Sequence, residues 1–252
     1  MTGRRIDVNC DLGESALPWH ESHEPALLRE ISSANVACGG HAGDMESMTA
    51  VCAEARRLGV AIGAQVSYPD RQNFGRVAMD IDTRRLEASV EEQFVTLVTA
   101  ASSCGASVDY VKPHGALYNT VATHDGHAQV VVRLAERHGV PLFGLPNSLT
   151  ENLAERCGVR FVREWFADRG YLSNGQLAPR TRPDALVTSE RQVFERVTRA
   201  VRHGELETVD GRTLQVDFST ICVHGDTPGA DRLLRSVRAA LADAHVTIGA
   251  EW

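Results

Sequence analysis

Lysine is almost missing from this chain. Of its 26 basic residues only Lys112 is a lysine, so arginine serves wherever a positive charge alone is needed. The exception points to a task that a guanidinium does badly. An ammonium is a compact point charge that can lose its proton when desolvated, whereas guanidinium is a broad fork that stays charged. Other absences narrow the function. No apolar run approaches the roughly 20 residues that span a bilayer, and the opening MTGRRIDVNC passes from two arginines into a strand-like segment without a signal-peptide core. A cytoplasmic protein is expected. The six cysteines (Cys10, Cys38, Cys52, Cys104, Cys157 and Cys222) show neither a CxxC pair nor metal-ligand spacing. They read as reduced thiols, each most simply a small buried residue, although Cys10 and Cys38 lie beside polar motifs. There is no Walker loop or GxGxxG, which argues against nucleotide binding in either standard manner, and no GxSxG elbow. A net charge of -7 gives no electrostatic footprint for nucleic acid, leaving a small molecule as the expected substrate.

What is present has the rhythm of an α/β protein. At 252 residues, 43% hydrophobic and 23% charged, the chain suits one α/β barrel or two small domains. Short segments rich in β-branched residues alternate with segments of helical period, the mark of βαβ units. Seven main strands are expected at Ile6 to Cys10, Ser33 to Ala37, Val60 to Val66, Asp109 to Lys112, Pro141 to Leu145, Arg160 to Glu164 and Thr220 to Val223, with Val246 to Ile248 closing the chain. Helices are expected at Glu24 to Ile31, from the cap candidate Asp44 to Gly59, at Thr83 to Ser103, Ala116 to Arg137, Asn147 to Cys157, Glu190 to His203 and Asp231 to Ala242. Asp210-Gly211 marks a small hairpin within Glu207 to Val216, and an irregular stretch at about 166–188 carries the turn signals Asn174-Gly175, Pro179 and Pro183. With no low-complexity linker, one domain over 1–252 is the simplest partition: a parallel (β/α) barrel with the irregular stretch above it.

The reactive residues collect where strands hand over to loops, at NCDLGE, ACGGHAGD, QVSYPD, KPHG, REWFADR and HGD. In a parallel barrel these ends meet on one face. Asp11 can act there as base, metal ligand or orienting partner of a histidine, or can make an Asx turn. The glycines around His41 let backbone N–H groups approach an anion or carbonyl. Lys112 and His114, two apart across a proline, offer a charge stabiliser and a general acid/base if the strand persists that far, or Lys112 salt-bridges across the barrel top. Tyr68, Asp70 and Arg76 can recognise substrate, Glu164, Asp168 and Arg169 offer site groups unless the last two make a surface ion pair, and His224 with Asp226 can form a hydrogen-bonded pair.

Together, IDVNCDLGES, SSANVACGGHAGD, GVAIGAQVSYPDRQNFGR, VKPHGALYN, EWFADRGY and ICVHGD resemble the LamB/YcsF family, in the family's order and over nearly the whole chain. The resemblance implies a barrel similar to metal-dependent carbohydrate deacetylases and an ATP-dependent, multisubunit 5-oxoprolinase that opens 5-oxo-L-proline to L-glutamate with two partner subunits, B and C. It also implies catalytic roles for Asp11, Lys112 and His114: proton handling by Asp11 and His114, and steadying of a phosphate or oxyanion by Lys112. Substrate contacts are implied for Asn9, Glu14, Asn35, His41, Asp44, Tyr68, Arg76 and His224, with Arg76 on the carboxylate. A deacetylase-type metal would fall to Asp11, Gln65 and His114. Here the chain departs from the family, reading GAQVSYPD where GAHPSYPD is usual and GGHAGD where GFHAGD is usual. Glutamine is a poorer zinc ligand than histidine, which argues against a firmly held metal. Two other readings are a stand-alone metal-dependent amide hydrolase or deacetylase, and a non-catalytic binding subunit.

Overall fold

A computed structural model describes residues 4–250 and Trp252, so the first three residues of the opening segment lie outside the described residues. Its main elements are strands β1 (Arg5–Leu12), β2 (Ser33–Ala37), β3 (Ala61–Val66), β4 (Tyr110–Pro113), β5 (Leu142–Gly144), β6 (Phe161–Phe166), β7 (Glu205–Glu207), β8 (Thr213–Gln215), β9 (Thr220–Val223) and β10 (Thr247–Ile248). Helices α1 (Glu24–Leu28), α2 (Met45–Leu58), α3 (Thr83–Ser103), α4 (Gly115–Val121), α5 (Asp125–His138), α6 (Leu149–Cys157), α7 (Glu190–His203) and α8 (Ala230–Asp243) are threaded between them. The order β1-β2-β3-β4-β5-β6-β9 closes through a β1–β9 pairing, giving the expected parallel barrel of seven strands. β10 extends it beside the start of β1, and β7–β8 form the expected hairpin.

Alternation along the strands separates two interiors. Ile6, Val8, Cys10 and Leu12 belong to the apolar layer under the helices, which includes Met48, Val51, Cys52 and Ala55 of α2. Burying each large side chain of that layer contributes about 1.5–3 kcal/mol. The other parity of β1 carries Asp7, Asn9 and Asp11 to the inside of the barrel, where all three are buried. Tyr110 and Phe143 stack at 4.1 Å, with Tyr110 two residues before Lys112 on β4. Gly63 is required beside them, because a Cβ there would lie 2.0 Å from the Tyr110 ring.

Three differences from the expected elements bear on the site. β1 runs on to Leu12, so Asp11 is a strand residue and its side chain is fixed by pairing with Asn35 of β2. The expected helix Ala116 to Arg137 is two helices, because His124 stops α4 and caps α5, its side chain accepting from the His127 amide. The irregular stretch crosses back over the barrel mouth, held by bridges Arg169↔Leu186 and Tyr171↔Leu177.

Candidate active site

Lys112 stands inside the barrel with a relative exposure of 2%. Its ammonium reaches Glu164 Oε1 at 2.9 Å, Asn9 Oδ1 at 3.0 Å, Cys222 Sγ at 3.1 Å and Asp11 Oδ1 at 3.3 Å. Three protons face four acceptors, so none is left over for a ligand. Burial opposes the charge, but Asp11 and the other neighbours outweigh it and hold the Lys112 ammonium well above the ordinary lysine range. Burial likewise opposes ionisation of Asp11, and Lys112, then His224 and His114, pull its carboxyl well below the ordinary range. Asn35 also donates to Asp11 Oδ1 at 2.8 Å and to Asn9 Oδ1 at 2.8 Å. Asn9 and Asn35, expected on the substrate, are therefore buried struts below it, and Lys112 is a counter-charge rather than a free oxyanion donor. Asp11 Oδ2 accepts no hydrogen bond among the described residues and is left for the cavity above.

Beside Asp11 sits a second group. The rings of His41 and His114 stack at 3.8 Å and 9°. Gln65 Nε2 donates to Glu14 Oε1 at 2.9 Å and lies 2.8 Å from His114 Nδ1. The other ring nitrogen of His114 is 3.3 Å from the Phe74 carbonyl, which accepts, so Nε2 carries the proton and Nδ1 takes the Gln65 amide. His41 Nδ1 meets the Ser67 hydroxyl, which already donates to the Tyr68 carbonyl, and His41 Nε2 is 3.0 Å from Glu14 Oε1. Burial raises the Glu14 carboxyl, and one shared proton holds it to His41.

The ligand atoms of Glu14, His41 and His114 lie within 4.8 Å of one another, the spacing of a cation site. The donor chemistry does not fit one. The Gln65 amide nitrogen already fills the lone pair of His114 Nδ1 and one on Glu14 Oε1, and the Glu14–His41 contact holds a proton. In the deacetylase-type set Asp11, Gln65 and His114, Gln65 meets His114 as an N–H donor, not as a ligand.

Burial, then the neighbouring His41, pushes the His114 imidazole well below the ordinary histidine range, so it is neutral near pH 7. The folded protein thus binds fewer protons than the unfolded chain below the unfolded value of 6.5, and stability falls as pH drops through that value toward the folded one. Thermal unfolding followed from pH 8 to pH 5 is expected to show a declining Tm below about pH 6.5, with a shallower decline in His114→Gln. A decline of equal slope in both proteins would contradict the assignment.

Above these groups opens a cavity of about 590 Å³, whose lining includes Asp11, Lys112, His114, His224, Arg76, Arg169 and Arg180. A smaller one of about 260 Å³ adjoins it at Asp11 and Arg76 and is lined by Glu14, His23 and Asp226. His224 Nδ1 is 3.1 Å from both carboxylate oxygens of Asp168, which is fully buried. Asp168 also accepts from the His224 amide and from the Thr227 hydroxyl at 2.7 Å. Burial opposes its ionisation, but His224 and these hydrogen bonds lower the Asp168 carboxyl below the ordinary range. A carboxylate so placed puts the His224 proton on Nδ1 and leaves the Nε2 lone pair for the cavity. The ring is steadied by Phe166, stacked at 5.0 Å.

Several expected residues lie elsewhere. The sequence pairs His224 with Asp226, but β6 and β9 are neighbours and bring Asp168 to His224, while Asp226 goes to Arg76 at 2.5 Å. Asp168 and Arg169 do not form a surface pair: Arg169 is buried on the carbonyls of Ala178 and Ala185. Asp44 is not at the cavity; its side chain accepts from the Ser47 amide in a capping box that starts α2. Tyr68 has the outward parity of its segment and is fully buried, with its hydroxyl 2.7 Å from His127 Nδ1. The REWFADR motif offers Glu164 and Asp168 without their partners, which lie more than 50 residues away in sequence, and no motif offers Arg180, whose place in the cavity comes from the fold.

A closed parallel barrel with an Asp–His pair and an ionised aspartate facing one cavity at its strand ends defines an enzyme of the (β/α)-barrel class. The chain belongs to the LamB/YcsF family, whose model matches residues 6–251. It is 44% identical over 245 residues to the 5-oxoprolinase A subunit of Kocuria rhizophila, covering 96% of this chain and 97% of that one. It is 46% identical over 247 residues to the protein of the same name from Streptomyces coelicolor, covering 97% and 99%. Among solved structures, the lactam utilization protein of Thermus thermophilus superposes with a TM-score of 0.90 at 34% identity, covering 98% of this chain and 99% of that one.

Proposed function

We propose that this chain is the lactam-hydrolysing subunit of a cytoplasmic, ATP-dependent 5-oxoprolinase that converts 5-oxo-L-proline to L-glutamate with partner subunits B and C. The observation that carries this reading is one cavity faced by two proton acceptors, His224 Nε2 backed by Asp168 and Asp11 Oδ2 backed by Lys112. The names of its relatives supply the substrate class.

A lactam carbonyl is a poor electrophile. Transfer of the γ-phosphoryl of ATP to the lactam oxygen, assigned to the partners, releases ADP and leaves an imidate that water can attack. His224 Nε2 takes a proton as the water oxygen bonds to the ring carbon, and Asp11 Oδ2 orients that water. The carbon–nitrogen bond then breaks, the nitrogen receives the proton, and a γ-glutamyl phosphate results. A second water releases phosphate and leaves glutamate. Arg76, beside the carboxylate of Asp226, is suited to the substrate's own carboxylate. His114, with both ring nitrogens engaged, positions Gln65 and the wall of the site rather than exchanging protons.

Glutamate release from 5-oxoproline and ATP, assayed for the chain alone and with subunits B and C, tests the reading. Turnover is expected only with all three present. Hydrolysis of N-acetylated sugars by the isolated chain would replace this reading with the deacetylase one, and binding of 5-oxoproline without turnover in the full complex would leave the chain a purely binding role.

A further inference from the structure

Three arginines, Arg76, Arg169 and Arg180, line the cavity, and only Arg76 is closely paired with a carboxylate. Arg169 is 5% exposed, an unusual place for a guanidinium without a carboxylate hydrogen-bonded to it. Its Nε donates to the Ala185 carbonyl at 3.2 Å and its Nη2 to the Ala178 carbonyl at 2.7 Å. Both acceptors belong to the stretch that crosses the mouth, so the fork is fixed and Nη1 donates to no acceptor among the described residues. Arg180 lines the same cavity and lies 3.9 Å from Asp226, which is already engaged by Arg76 at 2.5 Å. Arg76 and Arg180 therefore share Asp226, while Arg169 has no carboxylate hydrogen-bonded to it: the nearby Asp168 gives its oxygens to His224 and Thr227, and Asp11 gives Oδ1 to Lys112 and Asn35. Burial lowers the Arg169 pKa, and the nearby charges of Arg180 and Arg76 add to the lowering against the opposing charge of Asp168.

Lys112 supplies none of the missing recognition, because its three protons are engaged inside the barrel. We infer that Arg169 and Arg180 form a subsite for a doubly charged phosphoryl group, so that this barrel receives a substrate already phosphorylated, with Arg76 on the carboxylate side. The inference rests on the hydrolase reading above and locates its phosphate. A fixed fork on two carbonyls presents a planar donor edge to phosphoryl oxygens, and a second guanidinium at the same cavity balances the remaining charge. Asp226 is the internal competitor for the same arginines.

Calorimetric titration of the isolated full chain with inorganic phosphate tests the subsite without requiring turnover. Saturable binding is expected, weakened about tenfold or more in Arg180→Ala and in Arg169→Met. Asp226→Asn, which removes the competitor, is expected to tighten it several-fold, a gain that a merely structural role for these residues would not produce. Arg180, partly exposed and loosely paired, carries the test if Arg169→Met fails to fold. Absence of phosphate binding, or binding that all three variants leave unchanged, overturns the subsite while leaving glutamate release by the complex to be judged on its own. Phosphate binding that responds to the variants, in a complex that releases no glutamate, upholds the subsite and removes the 5-oxoprolinase reading. ATP binding tighter than phosphate and lost in Arg180→Ala overturns the proposal in favour of a nucleotide site.

Discussion

Replacing His224 with alanine is expected to lower glutamate release by the three-subunit complex by roughly 10²–10⁴-fold, the usual contribution of a positioned general acid/base. Asp168→Asn is expected to cost a similar order, for a reason that geometry supplies. Asp168 Oδ2 already accepts from the His224 amide and the Thr227 hydroxyl, so in the asparagine variant the amide oxygen takes that place. The NH₂ group then faces His224 Nδ1, turns that nitrogen into an acceptor and moves the proton to Nε2, where the base needs a lone pair. The double variant is expected to be little worse than either single one, because the two residues act as a unit. Steady-state kinetics on variants with near-native circular dichroism measure this. Activity within threefold of wild type in Asp168→Asn would remove the pair from the mechanism.

The second large effect concerns stability. In Lys112→Met the ammonium between Asp11 and Glu164 is lost, leaving two buried carboxylates without their shared counter-charge. Breaking a buried pair in this way costs about 3–5 kcal/mol. At roughly 2–4 °C per kcal/mol for a chain of this size, the Tm is expected to fall by about 6–20 °C near pH 7. The deficit should shrink in acid. Asp11 is held below its unfolded value of 3.8 in the native protein, so its contribution is fully present above that value and is lost as pH falls toward the folded one. Without Lys112 the Asp11 carboxyl protonates more readily and no longer needs the missing charge. Lys112→Arg is expected to fail as well, since a planar fork cannot replace a point donor surrounded by Asn9, Asp11, Glu164 and Cys222. Near-normal Tm and turnover in Lys112→Arg would show that charge alone is required.

Much of the barrel was legible because the strands are short β-branched runs ended by polar punctuation. The α3, α7 and β9 limits coincide with the expected ones. The limits of that reading are physical. Apolar residues at helical spacing flank the polar stretch 123–126, so periodicity predicts one long helix, and the break between α4 and α5 is set by His124 finding the His127 amide. Tyr68 follows a site-like SYPD motif but faces outward, because a strand-end motif does not specify which parity continues beyond the strand. The partner of His224 could not be read from HGD, since the nearer aspartate in sequence is Asp226, while the nearer one in space comes from the neighbouring β6. Gln65 was legible as a departure in kind, but its role as a two-way amide donor to Glu14 and His114 required their geometry.

The polar ladder inside the barrel also bears on how the chain can reach its native state. Lys112 on β4 finds its acceptors on β1, β6 and β9, at sequence separations of 101 residues for Asp11 and 110 for Cys222. Asp7 on β1 likewise depends on Ser33 of β2 and Thr220 of β9. A nascent half-barrel ending after β4 would therefore carry an ammonium and several acids facing inward with half their partners still unmade. Closure across the β1–β9 seam is the step that discharges this conflict. Two complementary fragments divided after α5 should each remain unstructured alone and gain order only on mixing.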